Sequence, residues 1–421
     1  MNAAGVYMTS KVIQSANYTA IDLFCGAGGL STALERSGFT SVAAVDHDRD
    51  CIATLRRNQE KKITIADTAR KYLEDTKLLH GDIREITRAD LAPADAPANW
   101  RPDVLAGGPP CQPFSAAGSG LGLNDPRGQL FQHFVRLAEE LRPRFILFEN
   151  VAGLVTAKGK DGLPGGALKL IQSHFESAGY ACRFELMNAA DFGAPQRRVR
   201  LYMIASCDDN LPTFPVPTHS DGRLSDTRAW QTLGEFLAHL PDPLEEDIVR
   251  PTGKRADELV KLRPGTGLKS GGIVEANRPS GHWGYRQDCF VADPTLPSRT
   301  IRAASTPDWL KTEAGLRRLT WRECAALQGF PTSWEFEGAR ASRFRQIGNA
   351  VQGEIGEAVA KTIVDALGCS VAVKPASAPW PSNFMKRVRY TAMEARVNGA
   401  HRQAAKAEKA LMAEASSHAA S

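Results

Sequence analysis

Short apolar runs alternate with amphipathic stretches through the first half of the chain. Residues 20–24, 41–45, 78–83, 104–106, 145–148 and 199–205 predict strands. Residues 30–37 and 131–141 predict helices between them. Strands that alternate with helices indicate an α/β fold, a parallel sheet with helices on both faces. After residue 205 the rhythm stops. Proline and glycine punctuate residues 211–217, 240–243, 251–254 and 263–272, and no strand–helix alternation survives to about residue 312. Helical patterns return at 320–328 and 353–367. The expected organisation is a first part over 1–205, a smaller irregular domain over 206–316, a return to the first over 317–368, and an extension over 369–421. That extension is alanine-rich, and Lys386, Arg387, Arg389, Arg396 and Arg402 make it basic. It reads as helical or partly disordered.

Composition narrows the class. The chain has 421 residues, 43% hydrophobic and 24% charged, which suits globular domains. No apolar run approaches the roughly 20 residues that span a bilayer. Residues 1–18 lack the apolar core of a signal peptide, so a cytoplasmic location is expected. The net charge of +5 is compatible with a polyanionic partner. The eight cysteines form no CxxC pair, so neither a metal site nor a disulfide framework is expected. Most should be buried small side chains.

Two loops at predicted strand ends carry candidate chemistry. The first is Asp22-Leu23-Phe24-Cys25-Gly26-Ala27-Gly28-Gly29-Leu30. Its glycines allow a tight turn and close approach of a ligand to the backbone. Asp46 ends the next strand, where it can accept hydrogen bonds from ribose hydroxyls. Asp82 ends the third, where it could hold an adenine amino group. Together they suit an adenosine, or they are only strand-end caps. The dinucleotide pattern GxGxxG is not met.

The second loop is Gly107-Gly108-Pro109-Pro110-Cys111-Gln112-Pro113-Phe114-Ser115. Ligands of open α/β sheets bind beyond the carboxyl ends of the strands, which puts Cys111 at the site rather than in the core. Three prolines fix the backbone around it. A thiolate there could act as a nucleophile.

This loop resembles the catalytic loop of the DNA cytosine-5 methyltransferases. Six further segments resemble that family in order. They are Asp22 to Leu30, Asp125 to Phe131, Glu149-Asn150-Val151, Gln196 to Tyr202, and the closing pair Arg322 to Pro331 and Gln346 to Val351. The resemblance covers about 19–204 and 317–367. It implies a Rossmann-like doubly wound methyltransferase sheet with a smaller irregular target-recognition domain. It implies S-adenosyl-L-methionine as cofactor, held by Phe24, Gly26, Gly28, Gly29, Asp46, Asp82, Ile83, Pro110, Leu130, Asn349 and Val351. It makes Cys111 the nucleophile and Glu149 the group on cytosine N3, with a carboxyl pKa raised by burial. Arg200 would reach the cytosine O2, and Arg198 would orient the site or a phosphate. Gln112, Ser115 and Thr300 would contact DNA, and residues 116–124 would form a closing loop.

The resemblance further implies duplex DNA as partner and base flipping to reach C6. It implies no metal, a monomer, and pairing with a bacterial restriction endonuclease. Arg263, Lys269, His282, Trp283, Tyr285, Arg286, Arg299 and Arg302 are candidates for DNA contacts. Two other readings stay open on sequence grounds. One is an RNA substrate, since a branch of the family methylates tRNA. The other is a non-enzymatic DNA-binding or cofactor-sensing protein.

Overall fold

Strand β1 (Thr19–Leu23) is an interior strand of a seven-stranded sheet, and its four residues after Thr19 are buried. The computed structural model describes residues 18–110, 130–159, 162–207, 210–268, 289–303, 306–367, 375–391 and 393. The chain continues through α1 (Gly29–Arg36), β2 (Thr40–Asp46), α2 (Arg49–Glu60), β3 (Lys77–His80), α3 (Arg88–Leu91) and β4 (Val104–Gly107). It then forms α4 (Leu130–Leu141), β5 (Phe145–Val151), α5 (Gly166–Ser177), β6 (Ala181–Asn188), β7 (Gln196–Arg197) and β8 (Val199–Ser206). The sheet order is β3-β2-β1-β4-β5-β8-β6. Strands β1 to β5 are parallel. The sheet is mostly parallel, as expected, and at one end β8 runs antiparallel between β5 and β6. The order reverses between β1 and β4. That is the switch point at which open α/β sheets bind ligands. The glycine loop leaves β1 and the Cys111 loop leaves β4, so the topology sets both at that crevice.

Each face of the sheet has its own core. On one face Phe134 of α4, Phe148 of β5 and Phe175 of α5 meet edge to face, with centroids 5.8–6.1 Å apart. On the other face α1 packs against α10 (Gly353–Leu367). Helix α10 buries Ile355, Val359 and Ile363 at intervals of four, a single helical stripe, against Leu30 and Leu34. This late segment is thus a layer against the central sheet.

The described residues of 206–316 form short elements. They include β9 (His219–Ser220), β10 (Arg228–Ala229), α6 (Leu233–Leu237), α7 (Lys254–Lys261), β11 (Thr266–Gly267), β12 (Phe290–Val291) and β13 (Ser298–Arg299). The hairpin β14 (Trp309–Thr312) and β15 (Gly315–Arg318) follows, and a four-stranded sheet β11-β12-β14-β15 packs on Leu259 of α7. Leu233, Ala292, Ile301 and Leu310 instead join a core with Leu55, Leu73, Trp321 and Trp334. Helices α8 (Trp321–Leu327) and α9 (Arg340–Asn349) lead back to α10.

Residues 375–391 are docked. Ala378 donates its N–H to the Cys182 carbonyl at 2.8 Å, and the Cys182 N–H donates to Ser377 Oγ at 3.0 Å. These bonds occupy part of the outer edge of β6. The Trp380 indole N–H donates to Gln172 at 2.7 Å, and Phe384 is fully buried among α5 and the turn after β5. Burying that ring contributes roughly 2 kcal/mol.

Glu35 of α1 lies beneath the segment between α2 and β3, where its carboxylate accepts the Leu73 N–H at 2.9 Å. Burial raises its pKa from 4.5 to about 7. Between those values the folded state binds the proton that the unfolded chain has lost, so stability is highest in acid and falls as pH rises to about 7. The shift corresponds to about 3 kcal/mol. Urea midpoints of Glu35→Gln, measured between pH 5 and pH 8, are expected to fall less steeply than those of the parent chain. An unchanged slope would refute the assignment.

Candidate active site

The turn after β1 is left-handed at Phe24, Gly26 and Gly28, with φ of 58°, 54° and 93°. Gly28 would set a side chain against Leu55, whereas Gly26 borders open space. The Gly26 N–H donates to Asp46 Oδ2 at 2.9 Å, and Asp48 N–H donates to Oδ1 at 2.8 Å. Asp46 therefore ties the end of β2 to the glycine loop, and its remaining lone pairs can serve a ribose. His47 Nδ1 lies 3.3 Å from the same carboxylate, a bond that raises the imidazole pKa. The residues present thus fit an adenosine: a strained turn beside open space, with a carboxylate at its rim.

The other expected cofactor residues differ in setting. Asp82 is paired with Arg84, two residues along, at 2.5–3.0 Å, and this partner lowers its pKa to about 2. An amino group could be held there only if the guanidinium moved aside. Ile83 is buried in the core, while Pro110, Leu130 and Phe24 are half-buried. Asn349 is exposed at the end of α9, and Val351 is buried where the Gly29 backbone approaches it.

Glu149 sits near the end of β5 with its side chain 10% exposed. Its cross-strand partner on β8 is Tyr202, so Arg200 is its diagonal neighbour on the same face. Arg200 Nε stands 3.3 Å from Glu149 Oε1. Burial raises the Glu149 pKa, and the charges of Arg200 and Arg198 oppose the rise. The expected direction is met. A side chain at Gly108 would come within 3.2 Å of Glu149 Oε2, so a glycine there lets the β4 loop reach the carboxylate. Asn150 Nδ2 donates to the Pro109 carbonyl at 3.2 Å and so anchors that loop two residues before Cys111. Cys111, Gln112, Ser115 and residues 116–124 lie outside the described residues. So do Lys269, His282, Trp283, Tyr285 and Arg286. The described cysteines are free, and all but half-buried Cys207 are buried. Burial pushes the thiols of Cys25 and Cys324 well above their usual range, which suits inert core positions.

Arg198 is held among backbone carbonyls. It is 2% exposed and donates to the carbonyls of Ile301 at 3.0 Å, Gly348 at 3.1 Å and Ala350 at 2.8 Å. It lies between β7 and β8, and its charge, with that of Arg200, acts on the Glu149 carboxyl. Thr300 donates its hydroxyl to the Arg197 carbonyl at 2.7 Å, and β13 pairs with β7 through Arg299 and Arg197. Arg299 is also held in place, against Asp308 at 3.4 Å and over the Phe290 ring.

A family model described as C-5 cytosine-specific DNA methylase matches residues 18–365. The chain belongs to that family. Among curated relatives, it is similar to a Type II methyltransferase, M1.HphI, of Haemophilus parahaemolyticus, with 31% identity over 85% of this chain and 90% of the relative. It is also 30% identical to Type II methyltransferase M.NgoMIV of Neisseria gonorrhoeae, over 83% of this chain and 98% of the relative. Among solved structures, a DNA modification methyltransferase encoded within an Escherichia coli prophage superposes with a TM-score of 0.59 at 23% identity, over 84% of this chain and the whole of the other. That likeness supports the Rossmann-like sheet.

In this methylase the described residues include no cluster able to hold a metal ion and no helix long and apolar enough to cross a membrane. Sequence reasoning gave no role to Asn150, Gln196 or Gln328. All three are buried amides that bond to backbone carbonyls, of Pro109, Leu327 and Ile347, and buried amides are required to find partners. The signal was an amide within or beside each motif that the methylase shares with its family.

Proposed function

We propose that this methylase transfers a methyl group from S-adenosylmethionine to C5 of a cytosine flipped out of duplex DNA, and that it protects DNA from a cognate restriction endonuclease in bacteria. The observation that carries the reading is Glu149, a buried carboxyl with a raised pKa held 3.3 Å from Arg200 beside the root of the Cys111 loop. The names of the relatives, Type II methyltransferases, support the restriction context.

The chemistry follows from cytosine itself. C5 is a poor nucleophile while the ring is aromatic. The Cys111 thiolate adds to C6, and the electron pair displaced from the C5–C6 bond needs a proton or hydrogen bond at N3. Glu149 supplies it from its protonated form, which burial favours. Arg200 stands beside the carboxyl and reaches the O2 carbonyl, where charge also gathers. Bound S-adenosylmethionine supplies an electrophilic methyl group to C5. The C5 proton then leaves to a base, the C5–C6 double bond reforms, and the thiolate is expelled. The glycine loop, Asp46 and the Asn349–Val351 stretch hold the cofactor, and Asp82 joins them if Arg84 releases it. C6 is stacked inside the duplex, so the base must be extruded first. The protein acts as a monomer in the cytoplasm, and Gln112, Ser115 and Thr300 line its path to DNA.

Bisulfite sequencing of DNA from cells expressing the chain is expected to show methylcytosine at one short sequence. Unmethylated DNA, with methylation of tRNA instead, would overturn the duplex-DNA reading.

A further inference from the structure

Tyr202 on β8 is the direct cross-strand partner of Glu149 on β5. Such partners share one face of the sheet, with Cβ atoms about 4.5–5.5 Å apart. The Tyr202 side chain is fully buried, in the apolar cluster that holds Leu147, Met187 and Ile204. Its hydroxyl is carried into that interior, and among the described residues it has no hydrogen-bond partner. Apolar packing alone would be served by phenylalanine. A buried hydroxyl without a partner therefore calls for a role.

The charges that act on this hydroxyl are those of Glu149, Arg198 and Arg200. The same two arginines act on Glu149 itself. Glu149 Oε1 is the matching atom. It is buried and accepts no hydrogen bond among the described residues, although Arg200 Nε stands 3.3 Å away. A donor without an acceptor and an acceptor without a donor thus lie one strand apart. Glu185, the partner of Tyr202 on β6, is engaged elsewhere, because its carboxylate accepts the Leu186 N–H at 3.1 Å and bonds to Asn383. Burial and the Glu149 charge push the Tyr202 phenol above its usual range, so it keeps its proton and stays a donor near neutral pH.

We infer that Tyr202 is a positioning residue for Glu149, whose hydroxyl donates to the carboxylate left when Glu149 has given its proton to cytosine N3. The inference rests on the proposed function, which makes Glu149 that acid. In the transfer the Glu149 O–H bond breaks, its electron pair stays on the carboxylate, and the N3 lone pair takes the proton. Charge that would gather in the ring then lies on a buried carboxylate, which is costly without donors. A donor already in place lowers the energy of that state and of the transition state before it. Rotation of the Glu149 carboxyl, or one bridging water, completes the bond. When the proton returns, the same hydroxyl can accept from the carboxyl O–H.

Tyr202→Phe removes one oxygen and keeps the ring. In the full chain, acting on a duplex with the sequence found by bisulfite sequencing, kcat is expected to fall about tenfold. KM for S-adenosylmethionine and for the duplex should stay within about twofold of the parent values, because the bond forms only as the proton leaves. Loss of a donor to the carboxylate favours the carboxyl form. The alkaline limb of kcat should therefore move up by about one pH unit, the counterpart of tenfold. A cycle with Glu149→Gln separates this role from packing. In a chain that already carries Glu149→Gln, adding Tyr202→Phe should slow transfer less than about twofold, since no carboxylate remains to receive the hydroxyl. Thermal unfolding shows whether each variant is folded. Should Tyr202→Phe not fold, 3-fluorotyrosine at position 202 decides the matter. Its phenol is the stronger donor, and the alkaline limb should move to lower pH. A limb that stays in place in the folded variant, or an equal loss with and without Glu149→Gln, would overturn the role of Tyr202. A parent chain that methylates no cytosine, or Glu149→Gln as fast as the parent, would instead overturn the functional reading beneath it.

Discussion

Cys111→Ala is expected to lose methyl transfer by at least about a thousandfold, since no other group replaces a missing nucleophile. The described cysteines offer no substitute. They are buried or half-buried, and burial raises the thiol pKa of Cys25, Cys51, Cys182 and Cys324 away from the thiolate. A duplex with 5-fluorocytosine at the target position gives the sharper readout. Fluorine at C5 cannot leave as a proton, so the adduct to C6 persists after methyl transfer. Mass spectrometry of a digest should find the modified base on the peptide that contains Cys111. A label on another cysteine, or appreciable turnover by the alanine variant, would end the proposed mechanism.

The second large effect is at Glu149. Glu149→Gln keeps the shape and can still donate from its amide, yet it cannot release a proton to N3. Loss of general acid catalysis costs about 10²- to 10⁴-fold in kcat. The pH profile carries further information. The acid form is required, and burial raises its pKa. The rate should therefore fall as pH rises through that raised value. Arg200 pulls the pKa down, so its removal must push it up further. Arg200→Ala should be slower overall, with its alkaline limb displaced to higher pH than in the parent. A limb that stays in place, or moves to lower pH, would show that another group titrates.

Much of this architecture could be read from apolar runs because buried parallel strands are continuous and short. The strands expected at 20–24, 41–45 and 104–106 are present within a residue or two of those limits. Helix α2 and strand β6 gave no such signal. Helix α2 carries only a narrow buried stripe, Cys51, Ile52 and Leu55, among arginines and acids. Strand β6 alternates buried with half-buried positions near the sheet's rim. The direction of β8 was equally hidden, since apolar content does not encode whether a neighbour is parallel. At the site, Glu149 and Arg200 followed from their motifs and meet as diagonal neighbours. Arg198 stands in the same motif as Arg200, but its bonds to the carbonyls of Ile301, Gly348 and Ala350 join segments over a hundred residues apart, which no local pattern announces. Asp82 looked free for a ligand because Arg84, two residues on, gives no sign in sequence of folding back.

The bonds that join Ser377 and Ala378 to Cys182 span about half of the chain, a separation of 195 positions between Cys182 and Ser377. During synthesis, the edge of β6 leaves the ribosome long before its cover exists. Translation at roughly 5–20 residues per second leaves that edge open for at least about ten seconds. An open strand edge is a template for pairing with other chains. Expression yield should therefore respond to the rate of elongation across the second half of the message, and to chaperones that shield nascent strands.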